Sequence, residues 1–203
     1  MIGRHCKPAT CRINSTVQTA AMFIRHAHEE DADAMARVIV DTFLAAHAGQ
    51  IPEDALQRRR EEWTHEVSAM AWRLPLRGID SGENKEECIF VACDEKGEVM
   101  GLAMGAPAEG LARTGEVSAL YVRQDHQGQG VGRRLVQTVA AWLHAQGHTA
   151  LRITVLAANA PARRFYEAIG GTVISEMEMD EYGYMLPFVV YGWPDIRVLL
   201  PSE

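Results

Sequence analysis

Residues 127–133 read QGQGVGR; they follow a strand-like run at 116–122 (EVSALYV) and lead straight into a helical pattern. Three glycines at alternate positions leave several backbone N–H groups free to converge on one small concavity. The N-terminus of the helix that follows adds roughly half a positive charge at the same place. Together these features predict a cradle for phosphate oxygens. Arg133 and Arg134 stand at its mouth, where they can offer paired donors to a second phosphate.

The alternatives for a loop of this kind can be tested on the letters. A triphosphate loop of the form GxxxxGK[ST] needs a lysine, and none follows these glycines. The dinucleotide fingerprint GxGxxG starts at Gly128 and Gly130, but Arg133 stands where its third glycine belongs. That fingerprint also asks for an acidic residue about twenty positions on, at the end of a second strand. The strand-like run 151–156 offers none. A dinucleotide- or triphosphate-binding enzyme is therefore disfavoured.

Periodicity orders the rest of the chain. Residues 1–21 show no period and little apolar content, and read as a disordered tail before a folded part that starts near Met22. From Asp31, the residues Met35, Val38, Ile39, Thr42 and Phe43 recur at helical spacing, with Asp31 and Asp33 at the positive end of the helix. A second helix is expected from Pro52 to about Arg73, with Leu56, Trp63, Val67, Met70 and Leu74 as its buried stripe. Residues 80–87 read as a loop; 88–93 and 99–105 read as a hairpin around 95–97, and 151–156 as a further strand. The helix after the glycine loop buries Val131, Leu135, Val139 and Trp142 and stops at Gly147. Pro161 opens a short helix that ends at Gly170 and Gly171, and a last hairpin, 173–179 and 188–193, turns around Tyr182 and Gly183. The order is strand, two helices, three strands, helix, strand, helix, two strands. It fits one α/β domain with a mixed sheet and helices on both faces, and 203 residues with 47% apolar content suffice for its core.

The glycine loop resembles the pyrophosphate loop of the GNAT superfamily of N-acetyltransferases, [QR]xxGx[GA], with Gln127, Gly130 and Gly132 at the fixed positions. Residues 157–171 (AANAPARRFYEAIGG) are similar to a second motif of that family, an asparagine followed by FYxxxGF. Asn159, Phe165, Tyr166, Gly170 and Gly171 match it, while Thr172 replaces the usual aromatic after the glycines. The likeness covers residues 22 to about 196 and is strongest from Glu116 to Gly171. It implies the GNAT acyl-CoA N-acyltransferase fold, with a central mixed, mostly antiparallel sheet. It also implies that the strand holding Leu120, Tyr121 and Val122 splays from the strand ending at Leu156. The pantetheine arm of acetyl-CoA then enters the gap as a surrogate strand. Cofactor contacts would fall on those three residues, on Gln127, Gly128, Gln129, Gly130, Val131, Gly132 and Arg133 around the pyrophosphate, and on Asn159, Arg163 and Tyr166. No metal is implied.

Amide formation from a thioester requires a neutral amine, although free amines have pKa values near 10. It also requires in-line placement, donors for a developing oxyanion, and a proton or hydrogen bond for the departing thiolate. By resemblance, Tyr166 holds the leaving-group position. A phenol near pKa 10 facing a thiol near 8.5 makes full transfer uphill by roughly 2 kcal/mol. A strong hydrogen bond, with solvent completing the transfer, is therefore expected. A backbone N–H at Leu120 or Val122, freed by a bulge, is expected to serve the carbonyl oxygen. Period-two counting puts Glu116, Ser118, Leu120 and Val122 on one face of the strand, which makes Glu116 the candidate base through a water. A solvent-facing strand-end glutamate is the competing reading. His126, just before the phosphate loop, reads as helping to bind there or sitting in solvent, and Trp63, Trp72 and Tyr184 as core aromatics rather than walls of an acceptor pocket.

A net charge of −7 argues against nucleic acid as a partner and weakly favours cationic acceptors through field steering. Arg58, Arg59 and Arg60 precede Glu61 and Glu62 and read as a solvated helix face. No apolar run approaches the roughly 20 residues that span a bilayer, and the first residues lack a signal-peptide core, so a cytoplasmic protein is expected. Cys6, Cys11, Cys88 and Cys93 make no zinc spacing; Cys88 and Cys93 fall on opposite faces of a strand and are expected to stay reduced. The expected function is direct acetyl transfer from acetyl-CoA to a primary amine of a small molecule or peptide, in a ternary complex. The alternative is a non-catalytic acyl-CoA sensor or scaffold on the same fold. Exposed edge strands make a homodimer an expectation. The acceptor itself is not legible in the letters.

Overall fold

The computed structural model describes residues 22–181 and 183–200. The tail expected at 1–21, with Cys6 and Cys11, and Tyr182 of the last turn lie outside the described residues. In chain order the elements are β1 (Phe23–His26), α1 (Ala32–His47), α2 (Glu53–Glu62), α3 (His65–Asp80), β2 (Cys88–Cys93), β3 (Val99–Pro107) and β4 (Thr114–Val122). Then follow α4 (Val131–Ala145), β5 (Ala150–Leu156), α5 (Ala160–Ala168), β6 (Thr172–Glu181) and β7 (Tyr184–Trp193). The strands form one sheet in the order β1-β2-β3-β4-β5-β7-β6. All neighbours run antiparallel except β4 and β5, which are parallel.

Strand β2 shows how the sequence loads both faces of this sheet. Every residue of CIFVAC is buried, so the run is apolar throughout instead of alternating. Cys88, Phe90 and Ala92 join a cluster with Val131, Leu135, Val139 and Leu143 of α4. Ile89, Val91 and Cys93 join another with Met35, Val38 and Ile39 of α1 and Leu76 of α3. The two cysteines thus pack on opposite faces, both as free thiols, and burial pushes the Cys88 thiol up to about 12.

The single helix expected from Pro52 to Arg73 is two helices. Its break falls at Trp63 and Thr64, and Thr64 caps α3 by accepting a hydrogen bond from the Val67 amide at 3.3 Å. A break re-phases the pattern. Val67, Met70 and Leu74, counted as a buried stripe, are 41%, 69% and 76% exposed, while Ser68, Ala69 and Leu76 are buried instead. Pro75 does not end the helix, which runs on to Asp80 through what was read as the start of a loop. Charge pairs fix α3 to the start of α1 and to the turn before it: Arg73 to Asp33 at 2.9 Å and Arg77 to Glu29 at 2.6 Å.

Two irregularities matter for function. The parallel pairing of β4 with β5 covers Thr114↔Ala150, Gly115↔Leu151 and Glu116↔Arg152, and then stops. Beyond it β4 stays with β3 while Ile153–Leu156 of β5 stay with β7, so the sheet opens into a V. A bulge interrupts β4 as well: Met104 faces Ala119 and Gly105 faces Val117, which leaves Ser118 as an extra residue.

Candidate active site

The V opens into a cavity of about 790 Å³, walled by Val117 to Val122 on one side and Ile153 to Leu156 on the other. Past Glu116, the backbone groups of β4 that face β5 have no ladder partner in the sheet. An extended chain laid between the strands would complete both ladders.

The glycine loop forms one end of this cavity. Gly128 and Gly130 have φ of 71° and 86°, a left-handed backbone that side-chain-bearing residues adopt at a cost. Gly130 is the N-cap of α4 and supplies no side-chain cap, so the amides of the first turn stay open to an anion. Gln127, Gly128, Gly130, Gly132 and Arg133 all line the cavity. Gln127 turns its Nε2 back to donate to the Val122 carbonyl at 3.0 Å, tying the loop to the strand before it. A Cβ on Gly132 would come within 3.4 Å of Phe165, so its bareness sets how closely α4 approaches α5. Gln129 does not line the cavity; its Nε2 donates to the Asp125 carbonyl at 2.9 Å. Val131 is 2% exposed and packs in the core, leaving its backbone as what it offers the loop. Arg134, expected at the mouth, instead donates to the Met22 carbonyl at 3.1 Å. His126 is held by Asp125 at 2.9 Å and stays out of the lining.

On the opposite wall, Asn159 caps α5 by accepting from the Ala162 amide at 3.2 Å and lines the cavity together with Phe165 and Tyr166. Tyr166 is 6% exposed, set among Phe165, Tyr191 and Trp193. Its hydroxyl has no hydrogen-bond partner among the described residues, and burial, with Tyr121 adding to it, raises its pKa above the ordinary phenol value. Leu120, Tyr121 and Val122 line the cavity. Arg163 does not: its Nη1 donates to the Ala157 carbonyl at 3.1 Å and its Nε to the Tyr191 hydroxyl at 3.3 Å. Its side chain turns to β7 and to the segment before α5.

The bulge at Ser118 overturns the face assigned to Glu116. Val117 packs with Leu120 and Val122 on the α4 side, while Tyr121 packs on the α1 side. Period-two counting from Glu116 therefore lands on the wrong face once it passes the extra residue. Glu116 accepts from Arg152 Nη2 at 2.8 Å and Nε at 3.1 Å, and it is absent from the cavity lining. The pair sits where β4 and β5 part.

The other end of the cavity was invisible in the sequence. Phe43, His47, Gln50 and Ile51, at and beyond the end of α1, meet Glu181 of β6 and Phe188 of β7 there. His47 stacks on Phe43 with ring centroids 4.1 Å apart. Arg59 lies over Phe43 and Trp63, 4.8 and 4.5 Å from their centroids, so part of the supposedly solvated arginine face is in fact packed on rings. Tyr184 donates to Asp54 at 2.7 Å and joins the last hairpin to α2. Trp72 packs in the α1–α3 core, and Trp63, Trp72 and Tyr184 are all outside the lining.

Comparison with known proteins agrees with this geometry. The model of the Acetyltransferase (GNAT) family matches residues 50–171. The chain is 31% identical over 179 residues to the uncharacterized N-acetyltransferase YuaI of Bacillus subtilis, spanning 87% of this chain and 95% of that one. It is 30% identical over 141 residues to the peptidyl-lysine N-acetyltransferase YjaB of Salmonella typhimurium, spanning 69% and 88% of the two chains. The PaiA N-acetyltransferase of Thermoplasma acidophilum, solved in complex with coenzyme A, superposes with a TM-score of 0.66 at 17% identity, covering 85% of this chain and 98% of its own. With the splayed sheet, the glycine loop and the family match together, the chain belongs to the GNAT family of acetyltransferases.

Proposed function

We propose that the protein is an acetyl-CoA-dependent N-acetyltransferase that acetylates a primary amine by direct transfer in a ternary complex. The observation that carries this reading is the junction of three features in one cavity: an uncapped helix N-terminus behind positive-φ glycines, unpaired strand edges, and a buried phenol. The residues fit the group. Gly128, Gly130, Gly132, Gln127 and Arg133 would hold the pyrophosphate, and the β4 and β5 edges with Asn159 would hold the pantetheine arm. Acetyl-CoA, when bound, supplies an acetyl group activated as a thioester.

The chain's own contribution is placement and hydrogen bonding. Amides of β4 beyond the Ser118 bulge are positioned to donate to an oxygen that gains negative charge. Tyr166 keeps its proton and presents it to the departing sulfur. Its raised pKa makes outright transfer less favourable and a hydrogen bond the better description. Glu116, already engaged by Arg152, serves to pin the apex of the V. A sensor of acyl-CoA would not need the phenol, which is why catalysis is the preferred reading. Self-association belongs to the same proposal, with β6, the edge strand exposed along nearly its whole length, as the available edge.

The test is release of free thiol from acetyl-CoA across a panel of amines, with Gly130→Asp as the companion variant. Turnover with the parent chain, and loss of acetyl-CoA binding in the folded variant, are the expected results. Undiminished binding in that variant would remove the basis of the proposal.

A further inference from the structure

The cavity end away from the glycine loop carries a carboxylate and an imidazole set in an apolar wall. Among the described residues of the lining, two carry a formal charge at neutral pH: Arg133 beside the loop and Glu181 at the other end. His47 adds an acceptor there. Its Nδ1 lies 2.8 Å from the Phe43 carbonyl oxygen, and a carbonyl only accepts, so Nδ1 holds the proton and Nε2 keeps its lone pair. Burial lowers the pKa of this imidazole against the pull of that carbonyl, and the charge of Arg59 lowers it further.

The Glu181 residue is partly buried. Burial raises the Glu181 pKa, and Arg59 offsets part of that rise. Arg59 itself is stacked on Phe43 and Trp63 and is not part of the lining. Phe43, Ile51 and Phe188 supply apolar wall between these groups, a surface suited to a methylene chain. The Tyr184–Asp54 hydrogen bond joins the hairpin to α2 three residues beyond Glu181.

We propose that the acceptor is a small primary amine bearing a second ammonium group and no carboxylate, and that Glu181 selects it by binding that second charge. The inference rests on the acetyl-transfer reading above and adds the class of acceptor to it. A carboxylate on the acceptor would meet Glu181 and the lone pair of His47, with no cation among the described lining residues at that end to hold it.

Three acceptors of like size test this on the full chain: putrescine, butylamine and γ-aminobutyrate. Putrescine is expected to exceed butylamine in kcat/KM by about tenfold to a hundredfold, the range of a charge-assisted contact, with γ-aminobutyrate last. Glu181→Gln should bring putrescine and butylamine close to equality, and Glu181→Lys should reverse putrescine and γ-aminobutyrate. Glu178→Gln, at an exposed position of β6, should preserve the order and so separate contact from the general field. Equal use of putrescine and butylamine by the parent chain, an advantage that survives Glu181→Gln, or preference for a lysine peptide over all three would each overturn the proposal. Calorimetry of putrescine against the CoA-saturated chain separates this failure from failure of the enzyme reading. Binding abolished by Glu181→Gln upholds the subsite even without turnover. No putrescine binding in a chain that acetylates other amines overturns the subsite and leaves acetyl transfer standing.

Discussion

On the proposed mechanism, Tyr166 is where the chemistry is most exposed to a single substitution. Tyr166→Phe keeps the ring among Phe165, Tyr191 and Trp193 and removes only the hydroxyl, which bonds to nothing else among the described residues. We expect kcat to fall about a hundredfold or more while acetyl-CoA affinity stays within about threefold, measured by steady-state kinetics and calorimetry. The pH profile carries a second expectation. A phenol donates only while protonated, that is, below its pKa, and burial raises that pKa. The donor thus survives across the range in which acceptor amines become neutral. At saturating acceptor, kcat should show no alkaline fall attributable to Tyr166 below about pH 10. A descending limb well under that value, absent from Tyr166→Phe, would contradict the assignment. The tyrosine itself was legible beforehand, because its neighbours Phe165 and Gly170 mark the motif. Glu116 was legible as a carboxylate but not as a partner of Arg152, since the two lie 36 residues apart and meet only through the parallel pairing of β4 with β5.

Helix α1 depends on an anchor at its start. Asp31 is 6% exposed and accepts from Arg25 at 2.6 and 2.8 Å and from the His28 amide at 2.8 Å. Burial pushes this carboxyl up, but the Arg25 and His28 hydrogen bonds outweigh it, and its pKa lies below the ordinary value. A depressed carboxyl contributes stability that is present above its unfolded pKa and is lost as pH falls through the folded one. Asp31→Asn should therefore cost about 2–4 kcal/mol at neutral pH, and the gap to the parent should narrow in acid below about pH 4, as read by denaturant unfolding. The helices also show where periodicity misleads. Met35, Val38 and Ile39 of α1 were read correctly because no break interrupts them. The stripe through Val67, Met70 and Leu74 failed because the cap at Thr64 starts a new helix with a new phase. The same physics misplaced Glu116: one extra residue at Ser118 inverts a period-two count, as a break resets one of 3.6.

For the molecule entire, the proposed function has the splayed sheet couple ligand and stability. A co-substrate that fills the V binds the folded chain alone, so it stabilises it by about 2.7 kcal/mol at a hundred times its Kd. For a chain of this length that corresponds to a rise in Tm of about 5–10 °C. Differential scanning fluorimetry with acetyl-CoA should show that rise in the parent and none in Gly130→Asp; an equal rise in both would mean that the glycine loop does not bind it.

The glycine loop, the strand before it and the FYxxxG segment could be recognised in the letters because each is a local solution. A positive φ, an open helix N-terminus and a helix that ends in glycines depend on residues a few positions apart. The strands flanking the loop were equally plain, since their apolar runs are short and bounded by turns. What only the tertiary structure decided is the far end of the cavity and the path of β4 into it. Phe43, His47, Gln50, Glu181 and Phe188 come from segments more than a hundred residues apart, and none has a spacing that marks it. They share a cavity because β4 and β5 part after three paired residues, and that parting is a property of the sheet rather than of either strand.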